Sequence, residues 1–294
     1  MKNKQFNNLT CKDGGIAFSA MLIVYVFLSF VGQAVCISAF GLDSFEFVAI
    51  SPLFSTLALM GIVLYYKLTK CVSFCDITGL NKFNPIWVFV AVILSVGMFL
   101  GFGFINDAFA NALKNVGVNV GAVNIPLEEL MHLIIFSVTL ALLPAFSEEF
   151  FFRGVIYNSL SRVKTVFAII IIAVCFALYH GSLAQLIYQL IYGASLALLR
   201  KVANSSIPCI VAHFINNFAI LLFEYFNVQI DLYSPYLIAV GLVLVSAFAF
   251  VCIRKLSAEK VYVDSAEKAR EFWIPFGIFG AVICSVLALS ALLV

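Results

Sequence analysis

Six residues in three short clusters carry most of the chemistry open to this chain: Glu148, Glu149 and Arg153; then His180; then His213 and Asn217. Each cluster lies in or beside a long apolar run, where inserting an ionisable side chain costs about 2.5–3.5 kcal/mol, so charge there points to a task. Residues four apart share a helical face, which pairs Glu149 with Arg153 and turns Glu148 about 100° away. Glu149 is therefore expected to be structural, and Glu148, with no cation beside it, to be a general base. His213 and Asn217 have the same four-residue spacing and offer two donors to a developing oxyanion, with Asn216 on an adjacent face the weaker candidate. Taken singly, the charged trio reads equally well as the polar end of a span, and each histidine as a hydrogen-bonded packing residue. Their succession on neighbouring spans favours a site.

Composition decides what positions them. Of 294 residues, 64% are hydrophobic and 11% charged, with 31 phenylalanines, and the mean hydropathy is +1.10. Such a chain cannot cover itself with polar surface, and its apolar runs approach the roughly 20 residues of a spanning helix rather than alternating as β-barrel strands do. The expected fold is all-α, a polytopic transmembrane helix bundle forming one membrane domain over residues 1–294. It has about nine spans, near 15–40, 45–66, 85–106, 127–150, 165–182, 183–200, 205–226, 235–253 and 272–293. The first is too long an apolar run for a cleaved leader and is expected to be retained. The fifth and sixth form a hairpin turned only by His180-Gly181-Ser182.

A cytoplasmic N-terminus puts every basic residue except Lys114 on the inner side, and acidic residues such as Asp43, Glu46, Asp107 and Glu224 outside. That asymmetry predicts the orientation. Counting about 1.5 Å per residue from Arg162, Lys164 and Lys201, Glu148 lies roughly 20 Å deep, His180 roughly 24 Å and His213 roughly 18 Å. The three depths agree only if the helix bearing Glu148 continues to about Ser159 instead of stopping at Glu149. A bend near Pro144 and an Arg153 that snorkels toward the cytosol while reaching Glu149 are the corresponding expectations.

Other features carry less. The net charge of +2 gives no reason to expect nucleic acid. Cys71 and Cys75, four apart with no second cluster, are a weak zinc signal. Glu128-Glu129-x-x-His132 lies about 30 Å up the helix from Glu148 and reads as a polar helix start, its acids favoured by the dipole. The Phe150-Phe151-Phe152 run reads as packing or lipid-facing surface. A transporter or proton relay would also use buried Glu and His, but would string them along a path, often in two related halves, and neither pattern is evident.

The set Glu148-Glu149-x-x-x-Arg153, Phe176-x-x-x-His180 and His213-x-x-x-Asn217, in this order, resembles the three motifs of the CPBP intramembrane protease family, also called Abi or CAAX-protease-like. The resemblance covers about residues 125–225, a catalytic core on the middle four spans, and includes the stretch from Tyr192-Gly193 through Ser205-Ser206-Ile207-Pro208 into the last motif. It implies an intramembrane endopeptidase of a multi-pass protein, expected in a bacterial plasma membrane, acting on a membrane-associated peptide or protein in the lipid bilayer. Glu148 and His180 would activate water, His213 and Asn217 would stabilise the oxyanion, and Glu149 with Arg153 would hold the site. The family also includes bacteriocin-processing and self-immunity proteins, so a non-catalytic immunity or scaffold role is the alternative. The family is described as metalloprotease-like, and Glu148, His180 and His213 would be the zinc ligands if zinc is the cofactor. Against a metal, no His-Glu-x-x-His helix is present and ligation would occupy His213; the reading leans to metal-independent glutamate catalysis.

Overall fold

The computed structural model describes residues 9–42, 44–118, 125–257, 269–275 and 277. Among them every regular element is helical: α1 Cys11–Phe40, α2 Phe45–Thr69, the short α3 Phe74–Thr78, α4 Ile86–Phe102 and α5 Phe104–Asn115 come first. Then follow α6, continuous over Leu130–Ser159, α7 Thr165–Tyr179, α8 Leu186–Ala203, α9 Ile207–Tyr225 and α10 Pro235–Ser257. Helices are dictated by the runs themselves, since backbone groups in hydrocarbon must be satisfied within the segment. Their starts are capped where the sequence supplies side-chain acceptors: a Thr10/Asp13 capping box opens α1, Ser44 opens α2 and Ser73 opens α3.

Seven helical stretches among the described residues are long and apolar enough to cross a membrane, with α4 and α5 counted as one and α7 falling short of the length. The chain is a multi-pass membrane protein, and its side chains are distributed accordingly. Large apolar residues such as Phe27 and Phe30 on α1, Phe89 on α4, Val166 on α7 and Val243 on α10 face outward, while Glu148, Glu149, Arg153, Asn158, Arg200, Ser206, His213 and Asn216 are buried. This arrangement suits a hydrocarbon solvent, in which polar groups gain by facing one another inside the bundle.

Several expected bounds are corrected. The fourth span does not end near residue 150 but runs to Ser159, the length that the depth comparison required. The fifth ends at Tyr179 and the sixth begins at Leu186, so six residues, not three, turn the hairpin; Gly181 takes a φ of 62° there, a left-handed conformation open to glycine at no steric cost. The third span continues as α5 beyond Gly103. The ninth, expected over 272–293, lies almost wholly outside the described residues.

α6 is the central element, packed against α1, α2, α3, α7 and α9. Two of its stretches, Ser137–Leu142 and Phe150–Ile156, are wound as π-helix. The first ends two residues before Pro144, which has no N–H to give the Leu140 carbonyl one turn back, and the helix there is a widened turn. In the second, the Arg153 carbonyl accepts from outside its helix, from Arg200 Nε at 3.1 Å; Ser206 Oγ stands 3.4 Å from it, with its proton on the nearer Thr78 carbonyl. Its neighbour Gly154 lets the α3 backbone approach: a Cβ there would stand 2.6 Å from the Ile77 carbonyl oxygen. Asn158 Nδ2 donates to the Asp76 and Ile77 carbonyls at 2.9 and 3.2 Å. α3 is thus fastened under the end of α6 that carries the acidic pair.

Candidate active site

Glu149 is the centre of the polar cluster. Its side chain is fully buried, and Oε1 accepts from Arg153 at 3.0 Å and from His213 Nδ1 at 2.9 Å. The first contact is the i,i+4 pair read from the spacing; the second joins α6 to α9 across 64 residues and has no signature in either segment. Arg153 does not snorkel. It has no exposed surface, donates its other terminal nitrogen to the Gly193 carbonyl at 3.0 Å and lies 4.4 Å over the Phe176 ring. A cation this deep holds position because a carboxylate, a carbonyl and a π face replace its hydration, and the alternative of reaching water would break all three.

Phe176 is a residue whose role the sequence reading missed, although its spacing from His180 was in view. Its carbonyl accepts from His180 Nδ1 at 2.7 Å, and its ring packs on His180, His213 and Phe152 with centroids 4.6, 5.9 and 5.2 Å away. The phenylalanine run is buried packing: Phe151 and Phe152 have no exposed surface.

The acceptors fix both histidine tautomers. A carbonyl and a carboxylate can only accept from an imidazole nitrogen, so His180 and His213 each donate from Nδ1 and turn Nε2 elsewhere. Both Nε2 atoms face Glu148: Oε2 lies 4.0 Å from His180 and 3.8 Å from His213. Glu148 is 6% exposed, and this oxygen has no hydrogen-bond partner among the described residues. His180, on the first residue of the α7–α8 turn, is the least enclosed of the three.

Whether the trio fits a metal can be judged from spacing. One carboxylate and two imidazoles are a suitable donor set, but tetrahedral zinc with bonds near 2.0–2.1 Å brings its ligand atoms to about 3.3 Å from each other. The separations here are 3.8 and 4.0 Å, and among the described residues no group of three His, Cys, Asp or Glu side chains is gathered as a metal site. The arrangement as it stands is wider than zinc would hold it, by an amount that a small side-chain shift would close. It fits a water molecule, which can lie about 2.8 Å from each of two atoms so separated.

Asn217 stands one turn beyond His213 on α9 and sends Nδ2 to the Leu140 carbonyl of α6 at 3.4 Å. Of the six predicted residues, five are therefore joined by side-chain approaches around Glu148 and Glu149, and Asn217 borders them on the same helix as His213. The Glu128, Glu129 and His132 cluster forms no part of this: Glu129 precedes the first turn of α6, and His132 stacks on Phe45 with its Nδ1 donating to the Pro126 carbonyl at 2.9 Å.

Residues 130–219 match the family model described as Type II CAAX prenyl endopeptidase Rce1-like. The match begins with α6, ends within α9 and contains all six residues; α1 to α5 and α10 lie outside it. No curated protein and no solved structure matches the chain.

Proposed function

With residues 130–219 carrying the type II CAAX endopeptidase pattern, we propose that the protein is an intramembrane endopeptidase in which a glutamate activates water for attack on a peptide carbonyl. The observation that carries this reading is the buried Glu148 Oε2, without a hydrogen-bond partner among the described residues and faced by the Nε2 atoms of His180 and His213. A buried carboxylate in that state is positioned to take a proton from a bound water, with the bare His180 Nε2 accepting the second water hydrogen and aiming the oxygen. The hydroxide adds to the substrate carbonyl carbon, the C–N bond breaks, and the proton held on Glu148 passes to the leaving amine.

His213 and Asn217 take the oxyanion. Since His213 Nδ1 is committed to Glu149, Nε2 is the ring nitrogen left for the substrate oxygen, and it donates there in the form that carries a proton on both nitrogens; Asn217 supplies a neutral amide N–H. Preorganised donors of this kind are each worth about a hundredfold or more in rate. Arg153 offsets the Glu149 charge and thereby holds His213 in register. The substrate class that suits the site is a membrane-associated peptide or a lipid-anchored C-terminus, and a prenylated CAAX peptide is the first to try.

The test is cleavage by the purified protein in liposomes, with farnesylated and unmodified CAAX peptides and a membrane-embedded peptide pool as substrates and products read by mass spectrometry. Cleavage that disappears in His180→Ala, with the protein still folded, is the expected result. Full cleavage by His180→Ala overturns the assigned water-activating pair.

A further inference from the structure

Asn216 and Asn217 are adjacent on α9, and both side chains take part in one hydrogen-bond chain. Asn217 Nδ2 donates to the Leu140 carbonyl at 3.4 Å, Asn217 Oδ1 accepts from Asn216 Nδ2 at 3.4 Å, and Asn216 Oδ1 accepts from the Tyr188 hydroxyl of α8 at 2.8 Å. Tyr188 and Asn216 are both buried. An amide side chain offers a donor on one side and an acceptor on the other, so the chain has a direction; the Leu140 end forces it, and the buried Tyr188 hydroxyl, able to donate or accept, favours it by giving its proton to Asn216 Oδ1.

At the α6 end the direction is forced by chemistry. The Leu140 carbonyl accepts only, and Pro144, the residue one turn on, has no N–H to occupy it. The atom of Asn217 facing it must be nitrogen, the atom facing Asn216 must be oxygen, and the remaining links follow. At the α8 end the Tyr188 hydroxyl supplies the proton that keeps the Asn216 oxygen turned toward it. The geometry points to Tyr188 as a positioning residue: through Asn216 it holds the Asn217 amide with its N–H face, not its carbonyl, available to the substrate oxygen. This rests on Asn217 acting as an oxyanion donor. A flipped amide would present a lone pair to a developing negative charge, turning stabilisation into repulsion.

The inference is tested with two readouts. In the reconstituted protein, Tyr188→Phe should lower kcat about tenfold with KM unchanged, because the interaction acts only on the transition state. In an Asn217→Ala background the same substitution should have no further effect, whereas a general packing defect would add to it. Pro144→Ala, which supplies a competing N–H to Leu140, should lower kcat without lowering the melting temperature. Independently of any activity, the side-chain amide signals of ¹⁵N-asparagine-labelled protein, assigned by single substitution, should shift for both Asn216 and Asn217 in Tyr188→Phe. An Asn217 signal that does not move, or a Tyr188→Phe effect on kcat that multiplies fully with Asn217→Ala, overturns the inference. Full activity in Asn217→Ala beside loss in Glu148→Gln would remove the oxyanion role alone, leaving water activation by Glu148 standing.

Discussion

At the scale of single residues, two adjacent carboxylates have different partners, and the roles proposed for them follow from that difference. Glu149 has Arg153 and His213 on one oxygen; Glu148 has, among the described residues, no hydrogen bond on Oε2 and two imidazole nitrogens in front of it. Removing the buried Glu149 charge by Glu149→Ala leaves Arg153 uncompensated in the bundle, and is expected to destabilise the protein by about 3–5 kcal/mol in a detergent unfolding titration. Replacing both partners, Glu149→Leu with Arg153→Met, should recover most of that stability and none of the activity. If the double variant were as unstable as the single one, the ion pair would not be the source of the penalty. The pairing of Glu149 with Arg153 was legible in the sequence, since i,i+4 spacing is a property of one helix. The His213 contact with Glu149 was not, because two segments 64 residues apart meet only through tertiary packing. Arg153 shows the same limit: its spacing allowed either snorkelling or burial, and the Gly193 carbonyl and Phe176 ring that decide between them lie on other helices.

At the scale of elements, α6 is long enough to bring its charges level with the histidines. Equal depth for Glu148, His180 and His213 required it to reach Ser159, and it does. What no local pattern announced is its second π-helical stretch, Phe150–Ile156. That stretch contains no proline; its one helix-weakening residue, Gly154, lies against α3, and its Arg153 carbonyl is held by Arg200. π-turns of this kind are common where a helix serves a site. Gly154→Val should push α3 off α6 and loosen the acidic pair, lowering the melting temperature and the cleavage rate together. A variant as stable and active as the parent would show that close approach of α3 is dispensable. Thr78 and Gly79 belong to the same contact, with Ser206 Oγ donating to the Thr78 carbonyl at 2.7 Å and Ser206 N–H to that of Gly79 at 2.9 Å.

At the scale of the whole molecule, polar chemistry is enclosed by helices whose outer faces suit lipid. The basic residues concentrate on one side of the spans, from which we infer a cytoplasmic N-terminus. Exposed Cys71 and Cys75, beyond the end of α2, should then react with a membrane-impermeant maleimide only after cells are opened, and a cysteine placed at Glu128 should react in intact cells. Labelling in the reverse order would invert the topology. If Glu148 activates water without a metal, as proposed, cleavage should survive exhaustive chelation, with no stoichiometric zinc in the purified protein. Loss of zinc and activity together, restored by zinc, would contradict this.

The most direct measurement is single-turnover cleavage by Glu148→Gln beside the parent protein, in the same liposomes and with substrate binding measured in parallel. Glutamine keeps the shape of the side chain and removes its capacity to take a proton. Binding should stay within about twofold while the cleavage rate falls at least a hundredfold, in the range expected for a lost general base. Cleavage by Glu148→Gln at a rate close to that of the parent would contradict water activation by Glu148.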